Sequence, residues 1–423
     1  MSNTEAGAPV VVVGAGAAGL MAALFAASAG APVLLLEGTG DGGRKILISG
    51  GGRCNVLPSR ASPTQFVTAS SANTLRKILL SWPLAEQRRF FEEELGIALA
   101  LEEESGKLFP VSNRARDVRD ALVEAVRRAG AGVRFEARVA DVRPRAHGES
   151  AEGGPGDVAR WDVVLEDGET LPARAVVLAT GGLSVPRTGS DGAGLRIARA
   201  LGHEVSPTYP ALTPLTAEPP VHAPLAGVSL EVTMRAPLAR GAFETAGGFL
   251  FTHRGYSGPA VLDISHLAVL SEASRPRQPL LVRWTPLDGE AWERLLVERG
   301  SGSVATLLRQ HLPTRLADTL MAEAEVPAER TLAQLRKDER GRLVEALVRY
   351  PLPWTGDEGY RKAEVTGGGV ALAEVDPRTL ESRRHPGLFL CGELLDAFGP
   401  IGGYNFLWAW ATGRAAGRGA AAP

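Results

Sequence analysis

The chain has only two cysteines, Cys54 and Cys391, so it has neither a disulfide framework nor a cysteine metal set. No Cys-x-x-Cys occurs, which excludes a dithiol relay. Lysine is scarce, at five of the 46 basic residues, and the arginines are dispersed along a chain of net charge −2. No nucleic-acid-binding surface is expected from that distribution. The opening MSNTEAGAP carries no basic residue, so it does not read as a secretory signal. Ala8 to Leu36 lacks any charge and exceeds the length of a spanning helix, yet three glycines and Pro32 interrupt it. A cytoplasmic protein that does not enter the membrane is expected.

What is present is a long chain with an ordinary globular composition. Its 423 residues are 44% hydrophobic and 22% charged, enough for two or three domains and a large core. The most informative stretch is VVVVGAGAAGLMAALFAASAGAPVLLLE, Val10 to Glu37. Val10 to Val13 reads as a strand buried on both faces. Gly14, Gly16 and Gly19 follow with the G-x-G-x-x-G spacing, then a helix over Leu20 to Ala29 and a second buried strand over Val33 to Leu36.

Each position suits a dinucleotide. Gly14 permits the tight turn, Gly16 lets a pyrophosphate approach the backbone, and Gly19 lets the helix pack on the sheet. The helix N-terminus points free N–H groups and a positive dipole end at the phosphates. Glu37, placed 37 − 14 = 23 positions past the first glycine, can take both hydroxyls of a ribose. The next segment, GTGDGGRKILISGGGRCN, interleaves glycines with Arg44, Lys45 and Arg53, which suits close approach to a phosphate and a flat ring.

Further along, Asn73 to Gly96 reads as helical with a break at Trp82-Pro83, and Asp117 to Ala129 as an amphipathic helix. Val133 to Val142 reads as one strand, and 148–156 as a glycine-rich hairpin tip. Trp161 to Leu165 and Ala175 to Leu178 are further strands, the latter running into Ala179 to Gly182, where a second phosphate-side turn is expected. Ser190 or Asp191 is placed to cap a helix from about Gly192. Six prolines between Pro207 and Pro224 mark a boundary. The expected division is a dinucleotide-binding first part over 1–206, an inserted domain over 207–354, and a return over 355–423. The insert reads as β-rich over 207–286 and helical over 287–350. Leu388 to Cys391 is another buried strand, ending at Gly392-Glu393, and Gly402-Gly403 precede a helix from Tyr404. Strand, glycines and helix thus recur, and the dipole of this last helix would stabilise negative charge on a bound ring. Trp408 and Trp410 on it, and Cys391 before it, read as core. His203 and His311 read as helix-end or surface residues.

The segments VVVGAGAAGLMAA, GRKILISGGGRCN, GKLFPVSNRA, ATGGLSVPRTGSDG, LFTHRGYSGPAVLDIS, VTGGGVAL and GLFLCGELLDAFGPIGGYNFLWAWATG together resemble the HI0933-like flavoproteins. The resemblance implies an α/β fold, with a glutathione-reductase-like Rossmann FAD-binding domain and an inserted β-barrel-like plus small helical domain. It implies that Gly14, Ala15, Gly16, Ala17, Ala18, Gly19, Glu37 and Gly38 hold the ADP half of FAD. Gly43, Arg44, Lys45, Ser49, Gly50, Gly51, Gly52, Arg53, Cys54 and Asn55 would line the flavin. Val139 would lie at the adenine and Thr180-Gly181 near the pyrophosphate. Gly392-Glu393 would meet the ribityl region, and Gly402, Gly403, Tyr404 and Asn405 the pyrimidine edge. Two positions depart from the family pattern: Asp191 stands where serine or threonine is common, and Ile401 interrupts Gly-Pro-Thr-Gly-Gly.

Hydride transfer through the flavin N5 is the expected chemistry. NAD(P)H would serve as a transient electron donor, because no second G-x-G-x-x-G with a following acid provides a domain for it. An activated C=C or C=O of a small organic molecule is the expected acceptor. The alternatives are an oxygen-dependent oxidase of a small amine, or a sensing flavoprotein without catalysis. His253, Tyr256 and Tyr404 are the candidate proton donors, Cys54 reads as a packed thiol, no metal is expected, and the protein is expected to be a monomer or homodimer.

Overall fold

The computed structural model describes residues 7–145, 158–274, 276–298 and 302–422, and the hairpin expected at 148–156 lies outside them. Within these residues the chain folds as two units. One joins residues 1–208 to 365–423, and the other comprises residues 209–364.

The first unit is built on a parallel five-stranded sheet in the order Leu388–Leu390, Ala175–Leu178, Val10–Val13, Val33–Leu36, Gly132–Arg134. The β-branched and leucine side chains of the first four strands suit positions covered on both faces. Val10, Val11 and Val12 are completely buried, and each contributes about 1.5–3 kcal/mol of transfer free energy. The order of the strands brings both ends of the chain into one sheet, on either side of Ala175–Leu178. The carboxyl ends of Val10–Val13 and Ala175–Leu178 form the crevice in which such sheets bind ligands.

The first helix, Ala17–Ser28, starts three residues before the expected Leu20, because Gly16 already serves as its N-cap. It packs directly on the last helix, Tyr404–Ala421. A Cβ on Gly413 would stand 2.3 Å from the Ala18 carbonyl oxygen, and one on Gly417 would stand 2.3 Å from that of Ala22. Only glycine permits that approach, so the two ends of the sequence are joined by backbone-to-backbone packing. The indole of Trp410 donates to the Val56 carbonyl, and that of Trp408 donates to the Gly392 carbonyl. Both tryptophans are buried core residues.

The segment expected as one strand over Val133 to Val142 is two. Gly132–Arg134 belongs to the parallel sheet, whereas Val139–Pro144 pairs with Trp161–Leu165 in an antiparallel sheet. The break falls at Glu136, whose φ of 56° turns the chain. His203 also differs from expectation: it is buried, with Nδ1 at 2.9 Å from Glu374 Oε2 and Nε2 at 3.2 Å from Ser382 Oγ.

The second unit carries a seven-stranded antiparallel sheet in which Ser229–Pro237 and Ala242–Phe251 form the central hairpin. Gly289–Glu298, Thr314–Glu323 and Lys337–Val348 are among its helices. Leu215 and Thr216 pair with Asp357 and Gly356, which carries this unit beyond residue 354. Among the described residues no helix is long and apolar enough to cross a membrane.

Candidate functional site

The three glycines of the first turn differ in what surrounds them. Gly14 has φ +98°, and a Cβ there would stand 2.7 Å from the Ala179 carbonyl oxygen. At Gly19 a Cβ would lie 1.7 Å from the Gly14 carbonyl oxygen, so helix and strand touch at this point. At Gly16 nothing lies within 4 Å. Gly14 and Gly19 are thus required by the protein, whereas Gly16 opens onto free space beside the N-terminus of a helix. That is the cradle a pyrophosphate needs.

Glu37 stands at the same mouth. Its Oε2 accepts from the Ala15 N–H at 2.8 Å, and its Oε1 accepts from the Thr39 N–H and hydroxyl at 2.9 and 2.7 Å. The carboxylate is thereby fixed next to the glycine turn with lone pairs left for further donors. Residues 136–139 lie against it, since the Ala137 N–H donates to the Glu37 carbonyl and the Gly38 Cβ position is 3.5 Å from Arg138. Val139, buried, follows directly.

The glycine-rich segment folds as a short helix, Arg44–Ile48, preceded by Gly43 at φ 71°. It continues into a run of left-handed residues, Gly50, Gly51, Gly52 and Cys54, at φ 56°, 68°, 88° and 63°. Cys54 is the one non-glycine among them, a strained conformation for a side chain that is fully buried. Burial pushes its thiol up to about 12, so it is a packed and unreactive group. Arg44 pairs with Asp41 at 2.6 Å and Arg53 with Glu102 at 2.9 Å. Ser49 donates to the Ile46 carbonyl.

Lys45 is drawn into a cluster that spacing along the sequence does not reveal. Its Nζ donates to Glu393 Oε2 at 2.5 Å and to Ser184 Oγ at 2.7 Å. Glu393 Oε1 accepts from the Ser184 hydroxyl at 2.7 Å and from the Thr366 N–H at 3.0 Å. Thr366 Oγ1 in turn accepts from the N–H of Leu183 and of Ser184. Four distant segments therefore meet on one ion pair, and Ser184 and Thr366 are the members that sequence reasoning missed. Both lie inside segments singled out for their glycines, and the hydroxyl beside those glycines was the available signal.

The carboxy-terminal pieces close the site. Gly392 at φ 73° presents its N–H to Thr412 Oγ1 at 3.0 Å, and its Cβ position is 2.8 Å from the Ala18 Cβ. Asn55, with its amide oriented to satisfy both partners, accepts from the Gly403 N–H at 3.0 Å and donates to the Leu57 carbonyl at 3.2 Å. Asn405 accepts from the Gly399 N–H at 2.9 Å. No side chain caps the last helix, whose N-cap is Gly403. Thr180 packs on the start of the helix Ala193–Ala200, where a Cβ on Gly194 would reach 2.0 Å from its hydroxyl. Asp191 accepts from the Ala193 N–H at 2.9 Å, although the N-cap of that helix is Gly192 rather than Asp191.

The candidate proton donors are divided between the two units. Tyr404 is half-buried at the start of the last helix, its hydroxyl accepting from Gln65 Nε2 at 3.0 Å. In the other unit His253 is exposed. Tyr256 is fully buried there, its hydroxyl 2.9 Å from His222 Nδ1, and His222 Nε2 meets Glu323 at 3.0 Å and the Tyr350 hydroxyl at 3.1 Å. Burial raises the phenols of both tyrosines well above their ordinary range. No group of three metal-ligating side chains is placed to hold a metal among the described residues.

An open glycine beside a helix N-terminus, a fixed carboxylate at the same mouth and a second uncapped helix fit a dinucleotide carrying a flat ring. The HI0933-like protein Rossmann domain family matches residues 8–419. A ribosomal RNA dihydrouridine synthase of Escherichia coli (strain K12) is 33% identical over 410 residues, covering 95% of both chains. A 3-dehydro-bile acid delta(4,6)-reductase of Clostridium scindens is 32% identical over 418 residues, 97% of this chain and 98% of that protein. The solved 3-ketosteroid delta1-dehydrogenase of Sterolibacterium denitrificans is similar over 99% of this chain and 100% of that chain, with TM-score 0.51 at 14% identity. That likeness concerns the fold alone. Matched along nearly its whole length, the chain belongs to the HI0933-like family of FAD-binding Rossmann proteins, a family of FAD-dependent oxidoreductases.

Proposed function

We propose that the protein reduces a C=C bond conjugated to a carbonyl, with NAD(P)H as transient electron donor. The observation that carries the cofactor part is the meeting of the Gly14–Gly19 turn, Glu37, the Lys45–Glu393 pair and the last helix within one unit. Bound FAD supplies a hydride donor and acceptor at its N5. The chain's own residues do the rest. The Gly16 opening and helix N-terminus bind the pyrophosphate, and Glu37 takes the ribose hydroxyls. Lys45 and Glu393 present a fixed charge pair to the ribityl chain. Gly51, with nothing within 4 Å of its Cβ position, and Gly52 leave room for the ring. The uncapped last helix stabilises negative charge where it develops.

The acceptor chemistry rests on what the relatives are named for. A delta(4,6)-reductase of a 3-dehydro-bile acid and a dihydrouridine synthase both saturate a ring C=C conjugated to a carbonyl. A small enone is favoured by the dispersed charge and the net charge of −2. A uridine in RNA is the second reading, favoured by the E. coli relative. An anaerobic experiment separates them: NADH or NADPH bleaches the bound flavin, and a steroid-like enone or a uridine-containing RNA then restores the colour. Flavin that neither nucleotide bleaches, or peroxide formed with a small amine, overturns the reductase reading.

A further inference from the structure

The sheet Leu57–Pro58, Lys107–Pro110, Leu99–Glu102 lies beside the turn that opens the last helix, and it carries a lysine with no role so far. Lys107 pairs in register with Pro58 on one side and Glu102 on the other. Pro58 N stands 2.9 Å from the Cβ position of Gly403, so strand and turn are in contact. One residue earlier, Gly402 at φ +120° lies along the lysine stem, its Cβ position 3.7 Å from Lys107 Cε and 3.8 Å from Cγ. The ammonium, one bond beyond Cε, therefore sits at the N-terminus of an 18-residue helix that no side chain caps.

Among the described residues Lys107 makes no direct ion pair there, although the Glu102 carboxyl, held below its usual range by hydrogen bonds from Ser105 and Arg53, also feels its charge. Its cross-strand neighbour Glu102 has one oxygen on Arg53 at 2.9 Å and the other on the Ser105 hydroxyl at 2.5 Å. The Arg53 guanidinium is held over the Phe109 ring, 4.0 Å from its centroid. Among the described residues no carboxylate stands within ion-pair distance of Lys107, which is half-buried. A half-buried cation beside a positive helix end is unfavourable unless an anion completes the site.

We propose that Lys107 tunes the bound flavin by holding a fixed positive charge at its pyrimidine edge; the proposal rests on the cofactor reading above. Hydride delivery adds two electrons and one proton at N5 and leaves one negative charge on the N1–C2 edge. Lys107 balances that charge without giving up its own proton. It acts on the reduced ring more than on the oxidised ring, so it raises the midpoint potential and leaves FAD content nearly unchanged. The same pull favours hydride transfer from NAD(P)H into the ring.

The test is the two-electron midpoint potential of the holoprotein, measured by equilibration with a redox dye, alongside FAD content per chain. Lys107→Met retains FAD and lowers the reduced-to-oxidised ratio at fixed potential about tenfold or more, a shift of about 30 mV. Lys107→Arg restores the wild-type value. Should the methionine variant lose its flavin or fail to fold, Lys107→Gln is held to the same criterion. A flavin-loaded Lys107→Met or Lys107→Gln with unchanged potential overturns the assignment, as does loss of FAD from both while the wild type keeps it. A wild type that takes up no FAD defeats the cofactor reading itself, which is a different failure.

Discussion

Gly16 and Gly19 are two positions of one motif with opposite physical requirements. Gly19→Ala forces a methyl into the Gly14 carbonyl, so overpacking costs about 1–3 kcal/mol or more in a melt. Gly16→Ala meets no protein atom, so stability stays within about 0.5 kcal/mol while FAD affinity falls about tenfold or more. Equal effects of the two in a paired melt and FAD titration would contradict this account of the turn. His266 gives a pH dependence. It is buried, and desolvation lowers it from 6.5 to about 4. Its folded value lies below its unfolded one, so the unfolded chain takes the proton first. Stability is full above about pH 6.5 and falls by about 3 kcal/mol as the pH drops to about 4. Denaturant melts across that range check it, and His266→Gln, which cannot titrate, flattens the slope. His203, also lowered by burial, adds to the same slope.

Among the elements, the contact between the first and last helices joins the two ends of the chain within one unit. Gly413 and Gly417 face Ala18 and Ala22 at distances that leave no room for a side chain. Gly417→Val is expected to cost about 3 kcal/mol or more and to lower FAD content, because the same helix anchors Val56, Gly392 and Asn55. Thermal melts and flavin content check this, and a variant with unchanged melting would show that the helices do not rely on close approach. The elements legible in sequence were those with a strong local pattern: Val10–Val13, Val33–Leu36, Ala175–Leu178, and the amphipathic helix Ala115–Arg128. The break at Glu136 was not legible, because a positive φ at glutamate has no compositional signature. Nor was the burial of His203, whose partners Glu374 and Ser382 come from far along the chain.

On the scale of the whole molecule, the arrangement of the glycine turn and Glu37 could be read because it is local, with strand, glycines, helix and acid within thirty residues. The pairing of Lys45 with Glu393, 348 positions apart, could not be read from spacing, and neither could the roles of Ser184 and Thr366. The motif GKLFP drew attention without suggesting that its lysine lies along Gly402. What ties these pieces together is the claim that one unit, made from both ends of the chain, holds a single FAD. The most direct measurement is titration of the flavin-free protein with FAD and, separately, with FMN. One FAD per chain should bind and take on a protein-bound flavin spectrum. FMN, which lacks the adenosine half proposed for the glycine turn and Glu37, should bind far more weakly. A protein that leaves FAD unbound, or that takes FMN equally well, contradicts the account.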